Sequence, residues 1–337
     1  MKAYQVYPGK NFDGIVPITR ELPAPGPREV RVRLHAVALN YRDLMMIRGD
    51  YTGGPKEPVI PASDGAGEVV EVGAEVTRLR VGDRVATTFF EAWIDGRQTP
   101  ENSRHSFGGL IDGTLAQEIV VAQDSLFKVP DHLDYNEAAT LTCAGATAWN
   151  SLFVEGHTRP GDSVLLLGTG GVSIWGLQLA KAAGLQAIIT SSSDAKLERA
   201  RQLGADVTIN YTTTPEWQEA VLRATGGAGV DVVIEVGGAG TFRKSLLSTR
   251  MGGTVAVVGG VSGWGSEVDP AQMIRGARHV SGIYVGSRAM LEDLARFVAL
   301  HRIQPVVDRV FAFDQARAAY EYLASGSHFG KVVIAVA

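Results

Sequence analysis

The sequence predicts an α/β protein in which a β-rich first part gives way, near residue 160, to a doubly wound parallel sheet. Three observations carry this. At about 150 residues per domain, 337 residues make roughly two domains, each large enough for its own core. The first 120 residues alternate apolar and polar side chains between turn residues, the pattern of half-buried strands. Beyond residue 160, all-apolar runs of strand length alternate with amphipathic stretches, as in a parallel sheet covered on both faces.

Composition narrows the function classes. A hydrophobic content of 45% with 20% charged residues fits an ordinary soluble globular protein and excludes a disordered one. With 36 acidic against 32 basic residues, no broad cationic surface is expected, so nucleic acid and membrane are excluded as partners. The single cysteine makes neither an internal disulfide nor a multi-thiolate zinc site. Glycine is in excess, and 23 of the 40 glycines fall in residues 144–285. No run of about 18 apolar residues spans a bilayer. The start has no signal-peptide stretch and the end no lipidation or retention signal, so a cytoplasmic location is expected.

Residues 1–10 read as a strand, and 29–39 alternate about Val30, Val32 and Leu34. Further strands are predicted over 67–72, 84–88 and 115–121, separated by turn chemistry at 23–27, Gly53-Gly54-Pro55 and Gly82-Asp83. Residues 89–113 form a long irregular segment, of the kind that is functional or mobile in compact domains. The strand 164–167 leads through glycines into a helix over 172–183, closed by Gly184. A second strand, 187–190, precedes a helix over 195–203 with Asp194 as its cap and Gly204 as its stop. Strands over 207–211, 230–236, 254–258 and 280–285 complete the series. A last helix and strand set occupies 291–336, where Gly330 turns into a final strand, 331–337, opened by Lys331.

The sharpest motif is Val164-Leu165-Leu166-Leu167-Gly168-Thr169-Gly170-Gly171-Val172-Ser173. It follows a buried strand and opens a helix, the context that gives a glycine pattern meaning. Gly168 permits the tight turn, Gly170 lets a pyrophosphate approach the backbone, and the N–H groups of Gly171 and Val172 open a helix whose positive end faces the anion. Ser173 stands where a third glycine is usual and is small enough to keep helix and strand close. The second strand ends in Ser191, Ser192 and Ser193 with no acid before Asp194, whereas a carboxylate there would hold the ribose of NAD. Hydroxyls and Lys196 suit a 2′-phosphate, so NADP(H) is favoured; a serine-rich turn with no selectivity explains the same residues.

At this point the chain resembles the medium-chain dehydrogenase/reductase superfamily, in its zinc-independent, quinone-oxidoreductase-like branch. The resemblance covers nearly the whole length. It rests on Ala38-Leu39-Asn40-Tyr41-Arg42-Asp43, Pro61-Ala62-Ser63-Asp64-Gly65-Ala66-Gly67-Glu68-Val69-Val70, Val81-Gly82-Asp83-Arg84-Val85, the Gly168 turn, Leu203-Gly204-Ala205-Asp206 and Gly330-Lys331-Val332-Val333. It implies a GroES-like β-rich catalytic domain from both chain ends (1–143 and 286–337) and a Rossmann domain over 144–285. Zinc enzymes of the superfamily hold catalytic zinc through Cys, His and Cys with a nearby Glu. The matching positions here resemble Asn40, Ser63, Cys143 and Asp64, so two of three ligands are lost and no metal is expected.

Without a Lewis acid, carbonyl–alcohol exchange loses its main stabiliser of oxyanion charge, and reduction of an activated C=C or a quinone is the expected reaction. Tyr51 aligns with the hydroxyl donor of 2-enoyl thioester reductases and is the candidate catalytic residue; an ordinary loop tyrosine is the alternative. The resemblance also implies cofactor contacts from Asn40 to the nicotinamide ribose and from Thr147 on the nicotinamide side. Lys196 and Tyr211 align with residues that meet the 2′-phosphate, and Gly259, Val285 and Ser287 lie where backbone reaches the nicotinamide. Lys331 matches a position near the pyrophosphate, or is a solvated lysine at a strand start. Phe89, Phe90, Trp93 and Trp264 either line an apolar substrate cleft or pack in cores. The partner expected is a small electrophilic substrate, with a homodimer through the sixth strand of the central sheet. Two other readings stand beside this one: a zinc-free alcohol or aldehyde oxidoreductase, and a crystallin-like cofactor-binding protein with little catalysis.

Overall fold

In the computed structural model, which describes residues 1–51, 54–265 and 270–336, the chain divides into two units, Met1–Ala146 with Gly286–Ala337 and Thr147–Val285. Gly53 of the expected turn and Ala337 of the expected last strand lie outside the described residues. The first segment supplies β1 (Lys2–Val6), β2 (Ile15–Thr19), β3 (Glu29–Leu39), β4 (Asp64–Val72), β5 (Arg84–Thr87), β6 (Glu118–Ala122) and β7 (Leu126–Lys128). The second unit supplies β8 (Ser163–Leu166), β9 (Gln186–Ser191), β10 (Val207–Asn210), β11 (Val230–Glu235), β12 (Thr249–Val257) and β13 (His279–Gly282). The last segment returns to the first unit with β14 (Val307–Ala312) and β15 (Lys331–Ala335).

In the first unit β3 is the spine. It pairs antiparallel with β4, β6 and β15, and β15 pairs parallel with β14, so strands from both ends of the chain share one sheet. Val30, Val32 and Leu34 are buried in alternation, as their period of two requires, against Val69, Val85, Val332 and Ile334. From Ala36 to Leu39, the stretch paired with β15, every residue is buried. In the second unit six parallel strands run in the order β10-β9-β8-β11-β12-β13. This is the strand order of a doubly wound dinucleotide-binding domain, with its switch point between β8 and β11. Leu165, Ile188, Val233 and Val255 pack in its core.

Several expected elements shift. The first part contains helices that alternation did not announce: Tyr41–Arg48, and a run of short turns from Tyr135 to Val154 that includes π-helical Leu141–Gly145 and Asn150–Val154. Strand β4 begins at Asp64 rather than residue 67, because Gly65 and Ala66 pair with β3 despite weak strand propensity. Strand β6 begins at Glu118, not 115; Leu115 instead donates its N–H to the carbonyl of Pro61 and accepts from the N–H of Tyr4. Strand β12 reaches back to Thr249, through a register shift opposite β11. Strand β13 ends at Gly282, so Val285 of the expected strand lies outside it, with a left-handed φ of 61°. The cap of helix Asp194–Gln202 is Ser193, whose hydroxyl accepts from the N–H of Lys196, and not Asp194. Among the described residues no helix is long and apolar enough to cross a membrane.

Tight packing of β4 on β3 depends on Gly67. A Cβ there would lie 2.0 Å from the carbonyl oxygen of Arg33, beside a register shift between Leu34 and Ala36. Gly67→Ala is expected to cost about 1–3 kcal/mol of unfolding free energy, read as a lower urea midpoint at unchanged slope. An unchanged midpoint would mean that β3 gives way there without cost.

Candidate functional site

In the first unit, β3 ends at Leu39 and the chain turns directly into helix Tyr41–Arg48. Asn40 is the N-cap: its N–H donates to Asp43 Oδ2 at 2.7 Å and its carbonyl accepts from the Asp43 N–H at 2.9 Å, which fixes the Asp43 side chain. The turn draws Arg42 and Asp43 into the interior. Arg42 Nη2 donates to the carbonyl of Phe107 at 2.6 Å, and its guanidinium carbon lies 4.5 Å from the ring centre of Phe89 and 5.7 Å from that of Tyr51. Burial raises the Asp43 carboxyl above the usual range, a shift that neighbouring Arg42 opposes.

Opposite, Ser63 and Asp64 at the start of β4 are fully buried. The Ser63 hydroxyl donates to Asp64 Oδ1 at 2.5 Å, and the Cys143 N–H donates to Asp64 Oδ2 at 3.2 Å. Cys143 is held there because the Thr142 hydroxyl donates to the Thr87 carbonyl and the Thr87 hydroxyl to the Ser63 carbonyl, both at 2.6 Å. Lys331, at the head of β15, is 3% exposed. Its ammonium donates to the carbonyl of Leu39 at 2.6 Å and to Asn40 Oδ1 at 2.7 Å, and lies 3.9 Å from Asp64 Oδ2. Of the two readings of Lys331, the solvated strand-start lysine is therefore excluded: pairing of β15 with the end of β3 turns Lys331 inward. Tyr51 is half-buried after helix Tyr41–Arg48, against the same core.

Asn40, Ser63, Asp64 and Cys143 are thus brought together, but they do not make a zinc donor set. An amide and a hydroxyl replace two soft ligands, and an ammonium is bonded to the amide oxygen. Among the described residues there is no group of three or more His, Cys, Asp or Glu that suits a metal.

In the second unit the expected cofactor residues gather at the carboxyl edge of the parallel sheet. Gly168 follows β8 with φ +74°, and its N–H donates to the Thr190 hydroxyl at 3.2 Å. A Cβ on Gly168 or Gly170 would meet no protein atom within 4 Å, so the space over this turn is open to a ligand. Gly170 caps helix Gly171–Ala182, and the buried Ser173 donates to the Leu167 carbonyl at 2.7 Å, which satisfies the residue in the third glycine's place. Ser191 ends β9; Tyr211 follows β10 and donates its N–H to the Ser191 carbonyl. Ser192 is exposed, and Lys196 lies in the first turn of the helix that Ser193 caps. Asp194 accepts from the Asn210 amide at 2.8 Å. Gly259 follows β12 on the same edge. These residues fit a dinucleotide: glycines without protein neighbours and a helix N-terminus for phosphates, then hydroxyls beyond the second strand.

Other expected residues have structural employment. Thr147 is buried in the second unit and its carbonyl accepts from the Ser151 hydroxyl. The Val285 carbonyl accepts from Asn150 Nδ2 at 2.9 Å. Ser287, in the first unit, caps helix Arg288–His301 by accepting from the Met290 N–H. Phe89, Phe90 and Trp93 are buried and pack on one another, whereas Trp264 is 67% exposed.

Arg42, Asp43 and Glu235 were not singled out as site residues from the sequence. Asn40 with Asp43 is a readable cap pattern, three residues apart, and that spacing predicts the turn that buries Arg42. Glu235, fully buried at the end of β11, accepts from the N–H groups of Gly237 and Gly238 and from the hydroxyls of Thr241 and Ser245. It fixes the glycine turn on the far side of the switch point from Gly168. Its sequence signal is an acid that closes an apolar strand before two glycines.

Burial pushes the Cys143 thiol up to about 12, and Asp64 adds to the shift. The thiolate is the reactive form, so at pH 8 this leaves about one thiol in 10⁴ ionised, against about a quarter for an ordinary cysteine. Folded protein is expected to react with a disulfide reagent at least about 100-fold more slowly than unfolded chain, at a rate still climbing tenfold per pH unit to pH 10. A rate that levels off near pH 8.5 would contradict this environment.

Two family descriptions match the chain: "Alcohol dehydrogenase GroES-like domain" over residues 26–131 and "Zinc-binding dehydrogenase" over residues 171–300. The second range contains none of residues 40, 63, 64 and 143. A zinc-type alcohol dehydrogenase-like protein of Schizosaccharomyces pombe is 42% identical over 332 residues, 96% of each chain. The crystal structure of a putative alcohol dehydrogenase from Sinorhizobium meliloti superposes with a TM-score of 0.92 at 37% identity, covering 100% of this chain and 99% of that one. A quinone oxidoreductase structure from Pseudomonas syringae does so with a TM-score of 0.84 at 28% identity, covering 99% of both chains. With a GroES-like first unit, a doubly wound second unit and full-length relatives, the chain belongs to the medium-chain dehydrogenase/reductase superfamily and is an oxidoreductase of that family.

Proposed function

We propose that this protein is a zinc-independent, NADPH-dependent reductase of activated C=C bonds or quinones. One observation carries the reading: Lys331 places a buried ammonium on Asn40 and beside Asp64, among the residues that match the metal-binding positions of zinc relatives. A cation built into the chain stands there in a donor set that suits no zinc.

NADPH supplies hydride when bound. The chain's own contribution starts with Gly168 and Gly170, which admit pyrophosphate to the backbone, and with the N–H groups that open helix Gly171–Ala182. Ser191, Ser192, Lys196 and Tyr211 are the groups for a 2′-phosphate. On the substrate side, reduction adds hydride to the β-carbon of an enone or to a quinone carbonyl system, and the electron pair moves to oxygen. The Tyr51 hydroxyl donates a hydrogen bond or proton to that oxygen, so a neutral substrate leaves as a neutral product. Half-burial beside the Arg42 guanidinium favours such a role, since a positive charge steadies the developing anion.

A zinc-free alcohol or aldehyde oxidoreductase is the second reading; the descriptions of the S. pombe and S. meliloti relatives as alcohol dehydrogenases favour its substrate class, though the first is described as zinc-type. An NADPH-oxidation screen over quinones, enones, enoyl thioesters and aldehydes separates the two. The expected result is turnover of enones or quinones well above aldehydes, with Tyr51→Phe reducing the enone rate by about 10²-fold. An unchanged Tyr51→Phe rate removes Tyr51 from the reaction, and aldehydes as the best substrates favour the second reading. Metal analysis of the purified protein is expected to find no stoichiometric zinc; one tightly held zinc per chain would overturn the metal-free assignment.

A further inference from the structure

Asp-Gly is the pair at which a backbone nitrogen can attack the preceding side chain, because glycine has no Cβ to shield that nitrogen. The pair occurs four times here, at Asp13-Gly14, Asp64-Gly65, Asp95-Gly96 and Asp112-Gly113. Three of the four are engaged elsewhere. Arg317 Nη1 holds the Asp13 carboxylate at 2.9 Å, and Gly14 is buried at the end of a short helical turn. Asp64 is buried and accepts from Ser63 and Cys143, while the Gly65 N–H donates to Thr87 Oγ1 at 3.0 Å. Asp112 accepts from Arg20, Lys56 and the Ile60 N–H, and the Gly113 N–H donates to the Ile60 carbonyl at 2.7 Å.

Asp95-Gly96 differs in each respect. Both residues are exposed, in the irregular 89–113 segment and outside any strand or helix. Among the described residues no cation pairs with Asp95, whose Oδ1 accepts from the Gly96 N–H at 2.7 Å. The nitrogen therefore rests against the carboxyl group it would attack. A Cβ on Gly96 would meet no atom within 4 Å, so nothing crowds the junction.

We propose that Asp95-Gly96 is a self-modification site, at which the folded protein converts aspartate to isoaspartate through a cyclic imide. The Gly96 nitrogen bonds to Asp95 Cγ, and one carboxyl oxygen leaves as water with the amide hydrogen and the acid hydrogen. Water then adds to one of the two imide carbonyls. Opening at Cγ restores aspartate; opening at the Asp95 backbone carbonyl leaves the chain running through Cβ and Cγ. No oxidant or further reactant enters, and the mass returns to its starting value. The lengthened link falls inside a structural contact. Trp93 Nε1 donates to the Gly96 carbonyl at 3.0 Å, across the altered residue. The Trp93 and Ile94 carbonyls accept from the N–H groups of Arg288 and Ala289, so the same loop holds the first turn of helix Arg288–His301.

The test is to age the full chain in mildly acidic buffer, digest it with trypsin, and label it with a protein-isoaspartate methyltransferase, which esterifies only the misrouted carboxyl. Trypsin places the four pairs in separate peptides, 11–20, 57–78, 85–97 and 105–128. Label in 85–97 is expected to exceed that in each of the others by at least about tenfold, since the other three pairs react only on local opening. Peptides aged after digestion are expected to label comparably at all four. Asp95→Glu keeps the charge but needs a six-membered ring, and is expected to reduce the 85–97 label to background. No label in 85–97, label spread evenly over the four peptides of the aged folded chain, or label in 85–97 that persists in Asp95→Glu overturns the proposal. The same preference for 85–97 in peptides aged after digestion also overturns it, because the selectivity then belongs to the local sequence and not to the fold.

Discussion

A single buried ammonium ties the two ends of the chain together in the first unit. Lys331 opens the last strand, yet its side chain ends on the carbonyl and amide that close the third strand and beside the acid that opens the fourth. A charge taken out of water is costly unless it is paired and fully hydrogen-bonded. Here two oxygens and a buried carboxylate meet that requirement only when β15 is seated on β3. The register of the C-terminal strand, the orientation of Asn40 and the neutralisation of Asp64 are therefore one condition. Removing any member leaves another polar group stranded in the interior.

The second unit rests on a different constraint, the approach of backbone to ligand. Glycines mark the carboxyl edge of its sheet at Gly168, Gly170, Gly237, Gly238 and Gly259. There the turn at Gly168 leaves open space, and the turn at Gly237 is locked by four donors to one carboxylate. The two turns flank the point where strand order reverses, which is where an open α/β sheet receives a nucleotide. Glu235 gives up contact with solvent to hold that turn, so the turn across the switch point from helix Gly171–Ala182 is fixed by the protein itself.

Much of this was legible along the chain. The apolar runs and glycine turns of the second unit report a parallel sheet because each strand is buried on both faces and each turn has few allowed conformations. The alternation of β3 was equally plain as far as His35. Helices of the first unit were not legible, because Tyr41–Arg48 and the turns between Tyr135 and Val154 are too short for a helical period to stand out. Strand β4 hid its start in Gly65 and Ala66, whose pairing is decided by β3 alongside and not by propensity. Phe89, Phe90 and Trp93 read equally as cleft or core until their burial was known.

By itself the sequence determined which chemical groups are present: one thiol, an amide at Asn40 and a hydroxyl at Ser63, a glycine turn after a buried strand, and serines after the next. Those are local facts, since a residue type and its neighbours need no third dimension. Tertiary structure alone decided which way the groups face. Lys331 and Asn40 are separated by 290 intervening positions, and no local rule predicts that their side chains meet. The pairing of β15 with β3 brings them within 2.7 Å, turning a lysine that reads either as a pyrophosphate contact or as solvated into the buried charge on which the candidate site is built.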